Sequence, residues 1–182
     1  MNPTTRQRIG LVLLFAFFLA PFIAAVVLHT MDWRPAHTRN YGTLVEPPRD
    51  LSGARFPLSG GTPLQWRDAE WSWTVFVLPG PGCSEACFAR IDLLRRVRVS
   101  LNQNARRVRI VVLDDAMDAA RLAPLAPIEL GHDADAALVD LRPASADEIG
   151  VAFADPHGFL ALRYPPDFDA ARLRKDLERL VK

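Results

Sequence analysis

The sequence predicts one α/β domain, a mixed sheet flanked by helices, preceded by one N-terminal transmembrane helix. Three observations carry this expectation. An uncharged apolar run fills residues 9–28. Downstream, short runs of β-branched and aromatic residues alternate with helical patterns, the order expected of a sheet covered on both faces. The two cysteines of the chain, Cys83 and Cys87, fall where the first of these strands turns into the first of these helices.

Residues 9–28 read IGLVLLFAFFLAPFIAAVVL. At about 1.5 Å rise per residue the run is about 30 Å long, the thickness of a bilayer's hydrocarbon core. A helix pairs every backbone polar group within the segment, and a kink at Pro21 is tolerated in lipid. Arg6 and Arg8 precede the run with no acidic residue beside them, and His29, Met31, Asp32 and Trp33 follow it. Positive charge stays inside, so residues 1–8 are expected in the cytoplasm and the remainder outside, with Trp33 at the outer interface. A cleaved signal peptide would have a shorter apolar core and a small-residue cleavage site. The following HTMDWRP supplies no such site.

Residues 29–63 are rich in proline and glycine and are expected to form an extended tether that docks on the domain, with few regular elements. The domain proper is expected over 64–182. WSWTVFVL at 71–78 reads as a buried strand, and PGPG at 79–82 stops it. From Ser84 to Val99 the apolar residues Ala86, Cys87, Ile91, Leu94 and Val97 recur on one side of a helix. RVRIVVL at 107–113 reads as a second buried strand, 114–125 as a helix and AALVDL at 136–141 as a third strand. Ser145 and Glu148 carry a short capping-box signal. Two more strands, 151–154 and 159–164, flank the turn Asp155-Pro156-His157-Gly158. Asp167 or Asp169 caps a last helix whose apolar stripe is Leu173, Leu177, Leu180 and Val181.

Charge excludes some functions. With 22 basic and 21 acidic residues the chain lacks a basic footprint for nucleic acid. Arg95, Arg96, Arg98, Arg106, Arg107 and Arg109 cluster in sequence, but a solvated helix face and strand edge account for them. Asp114, Asp115 and Asp118 suit a helix N-terminus.

Cys83 and Cys87 carry the chemistry. Unpaired N–H groups and about half a positive charge at a helix N-terminus favour thiolates. A spacing of four puts both residues on one helix face with α-carbons about 6 Å apart, within disulfide range. The pair therefore suits a dithiol, a disulfide or two ligands for a soft metal such as Cu(I). As a structural staple it would contribute little, because the loop it closes is short.

A strand, a PG-rich turn, CSEAC, a helix and a strand ending in Asp form a thioredoxin-like arrangement that resembles the Sco/SenC proteins. Those are membrane-anchored thioredoxin-fold proteins that assemble the copper centre of cytochrome c oxidase. The stretches NYGTLVEPPRDL and RRVRVSLNQNARRVRIVVL look closer still to uncharacterised membrane proteins found among cytochrome oxidase genes in proteobacteria. The resemblance implies a single-pass protein of the bacterial inner membrane with a periplasmic domain, possession of copper as cargo, and an oxidase subunit or copper-assembly factor as partner. The sequence also departs from the family. Phe88 stands where Sco proteins usually have proline, and Asp147 falls near the place of their third copper ligand, a histidine. The remaining candidates for that ligand are His157 and His132. These departures favour thiol–disulfide exchange or two-thiolate copper binding over a three-ligand site, with Cys83 attacking and Cys87 resolving. The alternative is a non-catalytic docking module for an oxidase subunit or assembly factor. A thiol peroxidase fits poorly, because PGPGCSEAC has no threonine beside the attacking cysteine.

Overall fold

The computed structural model describes residues 3–31 and 40–182. Asp32 and Trp33, expected at the outer interface, lie outside the described residues. The chain divides into two units, Met1–Arg39 and Asn40–Lys182.

The first unit is a helix, α1, over Pro3–Thr30 with Pro21 inside it. Its segment Gln7–Thr30 is long and apolar enough to cross a membrane. The expected span at 9–28 falls within it.

The second unit is built on a six-stranded sheet: β1 (Thr43–Asp50), β2 (Trp73–Pro79), β3 (Val108–Leu113), β4 (Glu129–Gly131), β5 (Ile149–Ala154) and β6 (Phe159–Tyr164), in spatial order β1-β6-β5-β2-β3-β4. The pairs β2–β3 and β3–β4 are parallel, and β2–β5, β5–β6 and β1–β6 are antiparallel. The helices are α2 (Glu85–Val99), α3 (Ala119–Leu122) and α4 (Ala170–Leu180). Period-two alternation divides the strands between two apolar layers. Val75, Val77, Ile110, Val112, Val151 and Phe153 face α2 and α4, whose Cys87, Ile91, Leu94, Leu173 and Leu177 complete that layer. Phe76, Leu78, Val111, Leu113, Ala152 and Ala154 face the other way, onto Leu51, Phe56, Leu64 and Leu138. Each large aliphatic side chain buried so completely contributes about 1.5–3 kcal/mol. The second layer is thus closed by irregular chain rather than by a long helix.

Four segments differ from expectation. Residues 43–50, expected within the tether, form the edge strand β1. Its register on β6 shifts between Leu44 and Arg49, where Pro47 and Pro48 fall. Prolines lack the N–H for a ladder bond and are accommodated at edges and bulges. Residues 136–141 are not a strand. Asp133 accepts the N–H groups of Ala137 and Leu138 at 2.9 and 2.8 Å. The chain then coils through a 3₁₀ turn, Val139–Leu141, and buries Leu138. The strand that joins β3 is instead the three-residue β4. The helix expected over 114–125 shortens to α3, capped by Asp118, and a 3₁₀ turn at Ala123–Leu125. The signal at Ser145 and Glu148 starts no helix; both residues lie in the loop that enters β5. The final helix is capped by Asp169, which accepts the N–H groups of Ala171 and Arg172.

A fully buried carboxylate fixes the start of this unit. Asp176 of α4 accepts the N–H groups of Tyr41 and Gly42 at 2.7 and 3.0 Å and the Tyr164 hydroxyl on the same oxygen, while Arg179 donates to its other oxygen at 3.1 Å. Burial, and donation of its proton to Asp176, push the Tyr164 phenol far above its ordinary value. A phenol held neutral by the fold contributes stability that is complete below its unfolded value of about 10 and declines as the pH rises beyond it. Tyr164→Phe is therefore expected to lower the unfolding free energy by about 1.5–3 kcal/mol, the worth of a hydrogen bond to a charged group. Denaturant titrations at pH 7 and at about pH 11 provide the check: the gap between wild type and Tyr164→Phe narrows at the higher pH. A gap that is constant or widens contradicts the assignment.

Candidate functional site

The site forms at the sheet edge where β2 and β3, being parallel, both end. β2 runs into Pro79, Gly80, Pro81 and Gly82, and Gly82 adopts φ +70° to turn the chain toward α2. Cys83 follows. Ser84 caps α2, its hydroxyl accepting from Ala86 N–H at 3.4 Å, and Cys87 lies in the first helical turn. Cys83 and Cys87 form a disulfide with α-carbons 5.2 Å apart. The two sulfurs differ in access: Cys83 is half-buried, whereas Cys87 is 0% exposed.

The loop 142–148 grips this turn. Gly80 donates to the Glu148 carbonyl at 2.8 Å, and Asp147 N–H donates to the Gly82 carbonyl at 3.3 Å. The Asp147 carboxylate accepts Ser84 N–H at 2.6 Å, and this backbone bond holds its carboxyl below the ordinary value. Asp147 sits at φ +60°, a left-handed conformation that aspartate tolerates better than most residues. A β-carbon on Gly80 would lie 2.2 Å from the Ser145 carbonyl oxygen, so only glycine fits there. Arg142 donates to the Pro79 carbonyl at 3.4 Å.

A cleft of about 560 Å³ opens on Cys83, walled by 79–82, Met117, Arg121, Arg142 and Asp114. Arg121 ties its α3 wall to the cysteine loop: it donates to the Cys83 carbonyl at 3.3 Å, lies 4.1 Å from the centre of the Phe88 ring and pairs with Glu85 at 3.7 Å. Phe88 thus stacks on a guanidinium that also bonds the cysteine loop.

The histidines lie apart from the sulfurs. His157 packs on Trp71 at 5.4 Å between ring centres, before β2 begins, whereas Cys83 follows its end. A seven-residue strand, about 20 Å long, separates them. His132 follows β4 on the same sheet edge as Cys83, but two strands away, about 10 Å, and it pairs with Asp115. Among the described residues no group of three or more His, Cys, Asp or Glu side chains is arranged to hold a metal. Asp147, by contrast, touches the cysteine loop directly. The acidic residues have structural partners: Asp118 caps α3 and Asp114 accepts Ala116 N–H. The clustered arginines are also engaged. Arg95 and Arg96 pair with Asp92, Arg98 donates to the Val108 carbonyl and Arg106 pairs with Glu70. Arg107 donates to the Val181 carbonyl and Arg109 to Thr74.

Met117, Arg121 and Arg142 were not legible as site residues. One signal pointed to the first two: after parallel strands, the segments that follow each strand share an edge.

The family model described as transmembrane-like, thioredoxin-like, C-terminal domain matches residues 73–182. No curated protein matches the sequence. Among solved structures, yeast Sco1 superposes with a TM-score of 0.55 at 13% identity, covering 71% of this chain and 92% of its own. Arabidopsis thaliana ScoI with copper bound gives 0.51 at 12% identity, covering 71% and 96%. The Xanthomonas campestris bacterioferritin comigratory protein, described for alkyl peroxide reduction, gives 0.52 at 16% identity, covering 79% and 99%. At these identities the likeness establishes a thioredoxin-like fold.

Gly80→Ala is expected to lower the unfolding free energy by about 1–3 kcal/mol, the usual cost of forcing atoms into a packed contact. It should also speed reduction of the disulfide by a small dithiol, because the loop seating Cys83 must shift. Gly53→Ala, whose β-carbon meets nothing within 4 Å, serves as the control. Denaturant unfolding that finds the two variants equal contradicts the clamp.

Proposed function

The chain belongs to the transmembrane-like, thioredoxin-like C-terminal domain family, and from that footing we propose that it serves cytochrome c oxidase assembly by thiol–disulfide exchange or copper handling through Cys83 and Cys87. One observation carries the reading: a disulfide at the N-terminus of α2 with one sulfur open to a cleft and the other buried. A static staple needs no such asymmetry.

In exchange, the Cys83 thiolate attacks a substrate disulfide in the cleft. One substrate sulfur leaves as thiolate and takes a proton, and Cys83 holds the other in a mixed disulfide. Cys87, deprotonated at the first turn of α2, then attacks Cys83 Sγ and releases the second substrate thiol. Two electrons pass to the substrate and the Cys83–Cys87 disulfide re-forms. A dithiol donor restores the reduced pair.

The donor set also suits copper as cargo. Two thiolates are soft ligands for Cu(I), and Asp147, standing where the resemblance places a histidine, is a hard one. Arabidopsis ScoI with copper bound shares the fold. The oxidase subunit or copper-assembly factor proposed as partner would meet the domain at the membrane. Arg8 before the apolar helix supports a cytoplasmic N-terminus and a periplasmic domain at the bacterial inner membrane, by the positive-inside rule.

A second reading is a docking module without thiol chemistry. Phe88 stacked on Arg121 and Asp147 bonded to Ser84 favour it, since both fill positions where the Sco resemblance expects other residues.

Equilibration against dithiol buffers is expected to give the pair a potential between about −270 and −120 mV, the range of exchange-active proteins. Cys87→Ser should accumulate a mixed disulfide on Cys83, seen by mass spectrometry, and Cys83→Ser should not. A potential below about −300 mV, typical of inert structural disulfides, together with no uptake of Cu(I), excludes both activities. Unchanged oxidase activity in cells carrying Cys83→Ser and Cys87→Ser together selects the docking module.

A further inference from the structure

A second sulfur-bearing residue lines the cleft beside Cys83. Met117 lies on the segment between β3 and α3, lines the same cleft as Cys83, and is half-buried against the same core layer. Two connections keep that segment beside the cysteines. Parallel pairing of β2 and β3 brings their C-terminal ends to one edge. Arg121, four residues beyond Met117, donates to the Cys83 carbonyl at 3.3 Å. Met117 also lines the neighbouring shallow hollow that contains His132, so the residue borders both hollows.

We propose that Met117 is the third ligand of a Cu(I) site made with Cys83 and Cys87. The inference rests on the copper arm of the function proposed above. A dithiol reductant first opens the disulfide, delivering two electrons and two protons and leaving two thiols. Binding of Cu(I) then forms two copper–thiolate bonds and releases both protons to solvent. The resulting pair of thiolates with one Cu(I) carries a net charge of −1. The thioether of Met117 adds a neutral soft donor and leaves that charge unchanged, which suits Cu(I) better than a carboxylate would. The guanidiniums of Arg121 and Arg142 on the cleft wall, and the N-terminus of α2, oppose the negative charge. Asp114, the acid on the same wall, is a hard donor already occupied by Ala116 N–H at 2.9 Å.

The test is anaerobic titration of the reduced full-length chain in detergent with Cu(I), in competition with a chromophoric Cu(I) chelator. X-ray absorption then counts sulfur neighbours. Wild type is expected to bind one Cu(I) with three sulfurs. Met117→Leu, which keeps the side chain's volume, is expected to bind with two sulfurs and at least about tenfold more weakly. Its disulfide potential should be unchanged. Equal affinity and equal sulfur count in the two proteins overturn the role of Met117 while leaving the cysteine pair as a copper site. A shifted disulfide potential in Met117→Leu also overturns it, by assigning the residue a packing role. If reduced wild type takes up no Cu(I), this proposal and the copper arm fall together, and thiol–disulfide exchange stands or falls on its own potential.

Discussion

The site depends on how closely the chain entering β5 approaches the turn leaving β2. The Ser145 carbonyl occupies the space a side chain at position 80 would need. With that contact made, the N–H groups of Gly80 and Ser84 and the carbonyl of Gly82 all find partners in residues 147–148. A turn of alternating proline and glycine has few hydrogen bonds of its own. The grip of 142–148 supplies them, and so fixes where Cys83 stands relative to the cleft. Asp147 completes this arrangement. Its carboxylate takes the Ser84 N–H, which would otherwise be an unpaired donor beside the first turn of α2.

A second lock holds the start of this unit. Asp176 is buried without exposure and gathers the N–H groups of Tyr41 and Gly42, the Tyr164 hydroxyl and Arg179. A buried carboxylate with its partners in place is stable; without them it would be strongly destabilising. The lock pins the first residues of the second unit, and β1 then pairs along β6. Arg49 reinforces the same edge with two parallel bonds to Asp140, each 2.7 Å, and one to the Ala137 carbonyl at 2.8 Å. That chain of contacts joins the edge strand to the 3₁₀ turn that closes the second core layer.

The elements most legible in the sequence were those whose pattern admits one reading. β6 lies at 159–164 as expected, because its alternation follows a turn in which Asp155 accepts the N–H groups of His157 and Phe159. The cap and stripe of α4, and the burial of Cys87, Ile91, Leu94 and Val97 on α2, follow from helical periodicity. Short apolar runs were less legible. AALVDL reads as a strand, yet Asp133, three residues upstream, turns it into a 3₁₀ segment by capturing two of its N–H groups. TLVEPPRD reads as a tether because of its prolines, yet an edge strand with a bulge has room for them. β4 is three residues long, too short for any period to register.

The sequence by itself determined the apolar N-terminal helix, the alternation that makes the mixed sheet, and the place of the cysteine pair between the first core strand and its helix. These are local properties: hydropathy, periodicity and turn chemistry within a few residues. Only the tertiary structure decided what surrounds the cysteines. It placed Arg142 and Asp147 from the loop before β5, and Met117 and Arg121 from the segment after β3, around Cys83, and it set both histidines apart from the sulfurs. The physical reason is that a cleft at a sheet edge is formed by strand order, and strand order is fixed by long-range pairing and packing that no short window of residues contains.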